Sequence, residues 1–157
     1  MQKITPFLWF DHQAEEAANL YTSLFPNSRI VSISHWGEAG PGPVGQVMIV
    51  TFQLDGQEFM ALNGGPEFKF TEAISLVVNC ETQQEVDRLW DALSAGGEVQ
   101  ECGWLKDRFG LSWQIVPVAL DVMMRDQDPE RVRRVTQAML QMQKLDIKTL
   151  QDAYEQG

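Results

Sequence analysis

Hydrophobic and polar positions follow the same succession twice along this chain. Lys3 to Phe10 alternates as a strand, with Pro6, Leu8 and Phe10 on one face and Thr5, Phe7 and Trp9 on the other. Asp11 is placed to cap a helix in which Ala14, Ala17, Ala18, Tyr21, Leu24 and Phe25 recur at helical spacing until Pro26-Asn27 stops it. Ser28 to Trp36 and Gln46 to Leu54 read as the next two strands. Asp55-Gly56 is a two-residue hairpin signal leading into the alternating run Glu58 to Leu62. Between Trp36 and Gln46, the glycines and prolines of residues 37–45 cannot hold a regular element. They predict a mobile loop, either a tolerated surface insertion or a flap over a ligand site.

The second half opens after the turn cluster Asn63-Gly64-Gly65-Pro66. Ala73 to Val78 is apolar at nearly every position, as in a strand covered on both faces. Thr82-Gln-Gln-Glu85 fits a capping box, and Val86, Leu89, Trp90 and Leu93 form the buried stripe of a helix ending at Gly96-Gly97. Phe109-Gly110 then turns the chain into Ser112 to Val116. Setting Gly56 over Gly110 lays Phe59 on Trp113, Met60 on Gln114 and Ala61 on Ile115. A shift of about 68 positions lays Leu76 on Leu8, Val78 on Phe10, Val86 on Ala18 and Leu89 on Tyr21. The pattern predicts a tandem duplication of strand, helix and three strands. The fold class is α+β: two βαβββ modules forming a curved, partly closed mixed sheet with helices outside.

Module one spans about residues 1–65 and module two about 66–117, followed by a helical tail, 118–157, within one domain. In the tail, Asp128-Pro129 reads as a cap with proline at the first position, Val132, Val135, Met139 and Met142 as an apolar stripe, and Asp146 as the cap of a last helix. This tail either packs on its own subunit or contributes to dimer contacts.

Composition narrows the function classes. The 157 residues, 44% of them hydrophobic, suffice for one full core. A formal net charge of −10 opposes both nucleic-acid binding and attraction to an anionic membrane. With no signal stretch and no spanning apolar run, the expected location is cytoplasmic. Cys80 and Cys102 are too few for a disulfide framework and read as small buried residues rather than catalytic ones.

The run Ile4 to Asp11, Ala14-Glu-Glu-Ala17, Tyr21 and Ser23 to Ser28 resembles the opening of PhnB-like proteins of the glyoxalase/bleomycin-resistance (vicinal oxygen chelate) superfamily. Ala61 to Pro66, Trp104 to Asp107 and Phe109 to Pro117 strengthen the resemblance, which extends over essentially the whole chain. It implies paired βαβββ modules and a homodimer. Some members carry a demethylubiquinone methyltransferase name, which is read here as a label.

The resemblance also implies where a metal would sit. Metal-dependent relatives place four ligands, usually His and Glu, on the first and last strands of the two modules. The duplication puts Thr5, Ala73, Met60 and Gln114 at those positions. Only the Gln114 amide oxygen is a donor of any use there, and a one-residue shift adds Glu72, which is still short of a site. His12 and His35, the only histidines, fall elsewhere. No metal or other cofactor is expected, with Glu72 and Gln114 the weak candidates for a divalent ion.

If Phe59, Ala61, Trp113 and Ile115 face the helices, the opposite sheet face carries Met60, Leu62, Ser112, Gln114 and Val116, joined by Thr5, Phe7, Trp9, Ser75 and Val77. These ten are the predicted pocket lining, a largely apolar cleft suited to a small organic ligand. The leading expectation is therefore metal-free binding of a small organic molecule, as in bleomycin-resistance relatives. The alternative is a metal-dependent enzyme of the glyoxalase, dioxygenase or thiol-transferase type. A methyltransferase ranks third, because no glycine-rich turn leads from a strand into a helix. Catalytic residues, and whether the protein is an enzyme at all, are not assigned by these residues.

Overall fold

A computed structural model describes residues 2–156. The first alternating run forms strand β1 (Phe7–Phe10), shorter than the Lys3 start predicted, because Pro6 precedes it without an N–H to give. The chain continues through helix α1 (Ala14–Leu24), β2 (Arg29–His35), β3 (Val47–Leu54) and β4 (Gln57–Asn63). These strands make one mixed sheet in the order β1-β4-β3-β2, with β1 parallel to β4 and the other pairs antiparallel. Where β1 stops short, the side chain of Gln2 replaces a strand neighbour. Its amide donates to the Glu58 carbonyl (3.0 Å) and accepts from the Glu58 N–H (3.1 Å).

One face of this sheet is closed by α1. Ala14, Ala17, Ala18 and Tyr21 are buried against Leu8, Phe10, Val50, Phe52, Phe59 and Ala61. Phe52 stacks on Phe59 with ring centroids 5.5 Å apart and lies 6.3 Å from Tyr21. Each such large apolar side chain contributes about 1.5–3 kcal/mol through removal from water. The small alanines let the helix approach the sheet closely. The expected Asp11 cap is not what starts the helix. Gln13 occupies the cap position without a side-chain bond, and the Ala14 N–H donates instead to the Asn63 side-chain oxygen at the end of β4 (2.8 Å). A tertiary partner thus supplies what the local sequence was expected to supply.

The second module repeats the plan: β5 (Ser75–Cys80), α2 (Gln83–Ser94), β6 (Glu98–Val99), β7 (Trp104–Lys106) and β8 (Ser112–Pro117), in sheet order β5-β8-β7-β6. Strand pairing therefore gives each module a four-stranded mixed sheet of the same plan. In α2, the Thr82 hydroxyl accepts from the Glu85 N–H (3.1 Å), as the capping box predicts. The return arm differs, since the Glu85 carboxylate takes the N–H of Glu81 (2.8 Å). Val86, Leu89, Trp90 and Leu93 are buried as expected.

Three helices follow: α3 (Val118–Met124), α4 (Pro129–Met139) and α5 (Ile147–Glu155). Asp128 and Asp146 cap α4 and α5 as read from the sequence. Leu120, Met123, Val135, Leu145 and Leu150 form a small core of their own, with Val116, Met139, Met142 and Tyr154 packed against it. Gln83 of α2 ties this tail down, donating to the Leu145 carbonyl (3.0 Å) and accepting from the Ile147 N–H (2.7 Å). The tail thus packs on its own chain. By contact, the chain divides into two compact units, residues 1–70 and 71–157, the second including the tail.

Candidate functional site

The open face of the first sheet carries the residues the alternation assigned to it. Phe7 pairs with Met60 and Trp9 with Leu62, while Thr51 and Ile49 of β3 lie opposite Met60 and Leu62. Phe7 is 51% exposed, and Trp9, Met60 and Leu62 are half-buried, with Thr5 half-buried just before the strand. On the second sheet Ser75 pairs with Ser112, Val77 with Gln114 and Asn79 with Val116. The Gln114 amide donates to the Ser75 hydroxyl (3.0 Å), and the buried Ser112 hydroxyl has no hydrogen-bond partner among the described residues. The structure thus gathers the ten sequence-predicted residues into two strand-face groups, five in each unit.

The parallel pairs also set the register of the duplication. Phe7 faces Met60 across its sheet and Val77 faces Gln114, so with Met60 equivalent to Gln114, Phe7 is equivalent to Val77. The first-strand offset is therefore 70, two more than the apolar match suggested. Thr5 then corresponds to Ser75 rather than Ala73. The four positions at which the resemblance implies a metal would then hold Thr5, Met60, Ser75 and Gln114: two hydroxyls, a thioether and an amide. This set does not fit Zn²⁺, Mn²⁺ or Fe²⁺, which need imidazole, carboxylate or thiolate donors. Glu72, the other weak candidate, is committed to Lys106 (3.1 Å) and Gln100 (3.3 Å), and the Lys106 ammonium holds its carboxyl below the usual range. Among the described residues no group of three or more His, Cys, Asp or Glu side chains comes together to hold a metal ion.

The structure shows a half-open cavity elsewhere, within the first unit. A cavity of about 440 Å³ is lined by Asp11, His12 and Glu15 at the start of α1, by Trp36, Pro41, Gly42, Pro43, Gln46 and Val47 around the Gly/Pro loop, and by Asn63-Gly64-Gly65 beyond β4. None of the ten strand-face candidates lines it. Its walls are held by specific bonds. The Gly64 N–H donates to the Phe10 carbonyl (2.8 Å) and the Gly65 N–H to that of Asp11 (3.1 Å), prolonging the parallel ladder past β1. The Trp9 indole N–H donates to the Gly65 carbonyl (2.9 Å). Asn63 donates to the Val47 carbonyl (3.1 Å) while capping α1, so one side chain joins helix, β3 and β4.

The loop beside this cavity is closed at its base by backbone hydrogen bonds. The Trp36 N–H donates to the Gln46 carbonyl (2.8 Å), and the Gly45 N–H returns to that of Trp36 (2.9 Å). Its backbone lies directly on the indole, where a Cβ on Gly42 would come within 2.2 Å of the Trp36 ring. Only glycine permits that approach. His12 sits 3.6 Å from the Asp11 carboxylate, and neither Asp11 nor Glu15 has a Lys or Arg partner among the described residues.

Two buried groups elsewhere have structural roles. Asp107 is 2% exposed and accepts from the backbone N–H groups of Phe109 (2.9 Å) and Leu111 (3.0 Å) and from the Trp113 indole (2.9 Å). It holds the turn between β7 and β8. Burial pushes the Cys80 thiol up to about 12, which suits the inert role assigned from the sequence.

Tandem βαβββ units with weak donors at the superfamily's ligand positions define a glyoxalase-superfamily protein of the PhnB-like kind. Residues 2–116 match the model of the 3-demethylubiquinone-9 3-methyltransferase family, and the chain belongs to that family. A PhnB protein from Bacillus cereus is 46% identical, with a TM-score of 0.69 over 74% of this chain and 99% of its own. Protein PA1353 from Pseudomonas aeruginosa (23% identity, TM-score 0.62, 74% and 98% covered) shares the fold. So does the fosfomycin resistance protein FosX from Listeria monocytogenes (14% identity, TM-score 0.56, 80% and 98% covered). Among curated proteins, none matches the chain. Helices α3 to α5 lie beyond the residues the family model matches. No helix among the described residues is long and apolar enough to cross a membrane.

Proposed function

We propose that the protein binds a small organic molecule without a metal ion, in the cavity of its first unit. The cavity carries this reading: about 440 Å³ falls among small-ligand sites, typically about 300–1,000 Å³. Its lining is more polar than the apolar cleft expected from strand alternation, because it draws on a helix start and a loop. The donor chemistry of Thr5, Met60, Ser75 and Gln114 supports metal-free binding over a metal-dependent enzyme. The family's methyltransferase name gains nothing from Asn63-Gly64-Gly65. A Cβ on Gly64 would lie 2.4 Å from the Trp9 ring, so this glycine serves packing on an indole. A cytoplasmic homodimer belongs to the same reading. Native mass spectrometry of protein purified without chelators or affinity metals tests it. A metal-free dimer with an organic adduct is the expected spectrum, and a stoichiometric metal ion would overturn the metal-free reading.

A further inference from the structure

We infer that the ligand of the first-unit cavity is a small organic cation, an ammonium or quaternary ammonium attached to an apolar group; this rests on the cavity being the binding site. The charge comes from Asp11 and Glu15, two acidic residues of the cavity lining with no Lys or Arg partner among the described residues. Among the lining residues the only basic side chain is His12. The chain's net charge of −10 adds a long-range field of the same sign. The apolar part of the ligand has its own surface. Trp36 borders the cavity with Pro41, Pro43 and Val47, which gives it an apolar side.

Other features of the site favour this charge over an anion. A helix N-terminus ordinarily attracts anions through its free N–H groups. Here the first of them, on Ala14, is already bonded to the Asn63 side chain. What the chain presents to the cavity around the start of α1 is Asp11, His12 and Glu15. The loop supplies shape, since Gly42 lies on the indole and Gln46 and Pro43 close the wall beside it.

The test uses four benzyl compounds of similar size and different charge: benzyltrimethylammonium, benzylamine, benzyl alcohol and benzoate. Each is titrated to millimolar concentration into the ¹⁵N-labelled full chain, following the Trp36 indole and the amides of Gly42, Gln46, Gly64 and Gly65. The two cations should shift these resonances and benzoate should not. In Asp11→Asn/Glu15→Gln, two exposed substitutions whose folding is checked by the rest of the spectrum, affinity for the cations should fall about tenfold or more. Binding should also weaken as salt is raised. Equal shifts with benzyl alcohol or benzoate, or unchanged cation affinity in the double variant, would overturn the charge assignment and leave the cavity as a binding site. No shift at these resonances with any probe would overturn both.

Discussion

Replacing Asp107 should damage the second unit in graded steps. Its carboxylate accepts from the Phe109 and Leu111 N–H groups and the Trp113 indole, and the latter two donors belong to residues only 1% exposed. Asp107→Ala strands both buried donors, while the Phe109 N–H, at a half-buried residue, can turn to water. Hydrogen bonds to a charged acceptor contribute about 1.5–3 kcal/mol each, so the two buried losses give about 3–6 kcal/mol. Asp107→Asn keeps one oxygen for the backbone donors but turns an N–H₂ toward the indole N–H, at about 2 kcal/mol. In Asp107→Asn/Trp113→Phe that clash is gone, so the double variant should be less destabilised than the two single variants added together. Urea unfolding followed by far-UV circular dichroism provides the free energies. If Asp107→Asn and Asp107→Ala cost the same, or if the two sites are additive, the carboxylate is not orienting the turn through Trp113.

Other expectations concern separate parts of the chain. Gly42→Ala, with its Cβ 2.2 Å from the indole, should lift the 37–45 loop and shift the Trp36 indole resonance, while global stability changes by about 1 kcal/mol or less because the loop can move; an unchanged resonance would contradict the packing. With its thiol near 12, Cys80 should hold only about one part in 10⁴ as thiolate at pH 8 and resist alkylation in the native protein, whereas half-buried Cys102 reacts first. The Tyr154 hydroxyl holds the Asp126 carboxyl below its ordinary 3.8, so this contribution to the tail is complete above pH 3.8 and is lost as pH falls through the lower folded value. Amide exchange in α4 and α5 should therefore accelerate in acid, and Tyr154→Phe should weaken that dependence.

Much of the fold was legible because apolar periodicity survives translation into structure. The α2 stripe, the Asp55-Gly56 hairpin and the caps at Thr82, Asp128 and Asp146 each depend on residues close in sequence. The errors came where the partner is remote. The true cap of α1 is Asn63, 49 residues away, and no local rule reveals it. The duplication offset slipped by two because a two-residue shift preserves which strand face is buried, so Leu8 matches Leu76 or Val78 equally well. Only the parallel pairing of Phe7 with Met60 and of Val77 with Gln114 distinguishes them. The cavity was missed for a related reason. Its lining comes from a helix start, a loop and a strand end, and alternation along strands cannot bring these together. The one available signal was Trp36 set beside a Gly/Pro loop, already marked as a possible flap.

The two units show how one frame diverges in its connections. In both, the first strand runs parallel to the last and a helix covers one face, so the scaffold places the start of each helix near the end of its central strand. In the first unit that end is Asn63-Gly64-Gly65, and the long β2 to β3 connection folds back over Trp36; helix start, strand end and loop therefore line a half-open cavity. In the second unit β8 ends in Pro117 and runs directly into α3, and the β6 to β7 connection is short. There the chain is tied to the tail instead, through the Cys102 N–H to the Met142 carbonyl (2.9 Å) and the Gly103 N–H to that of Gln143 (2.8 Å). The cavity of the first unit thus follows from a change in connection length, with the order of strands and helix left as it was.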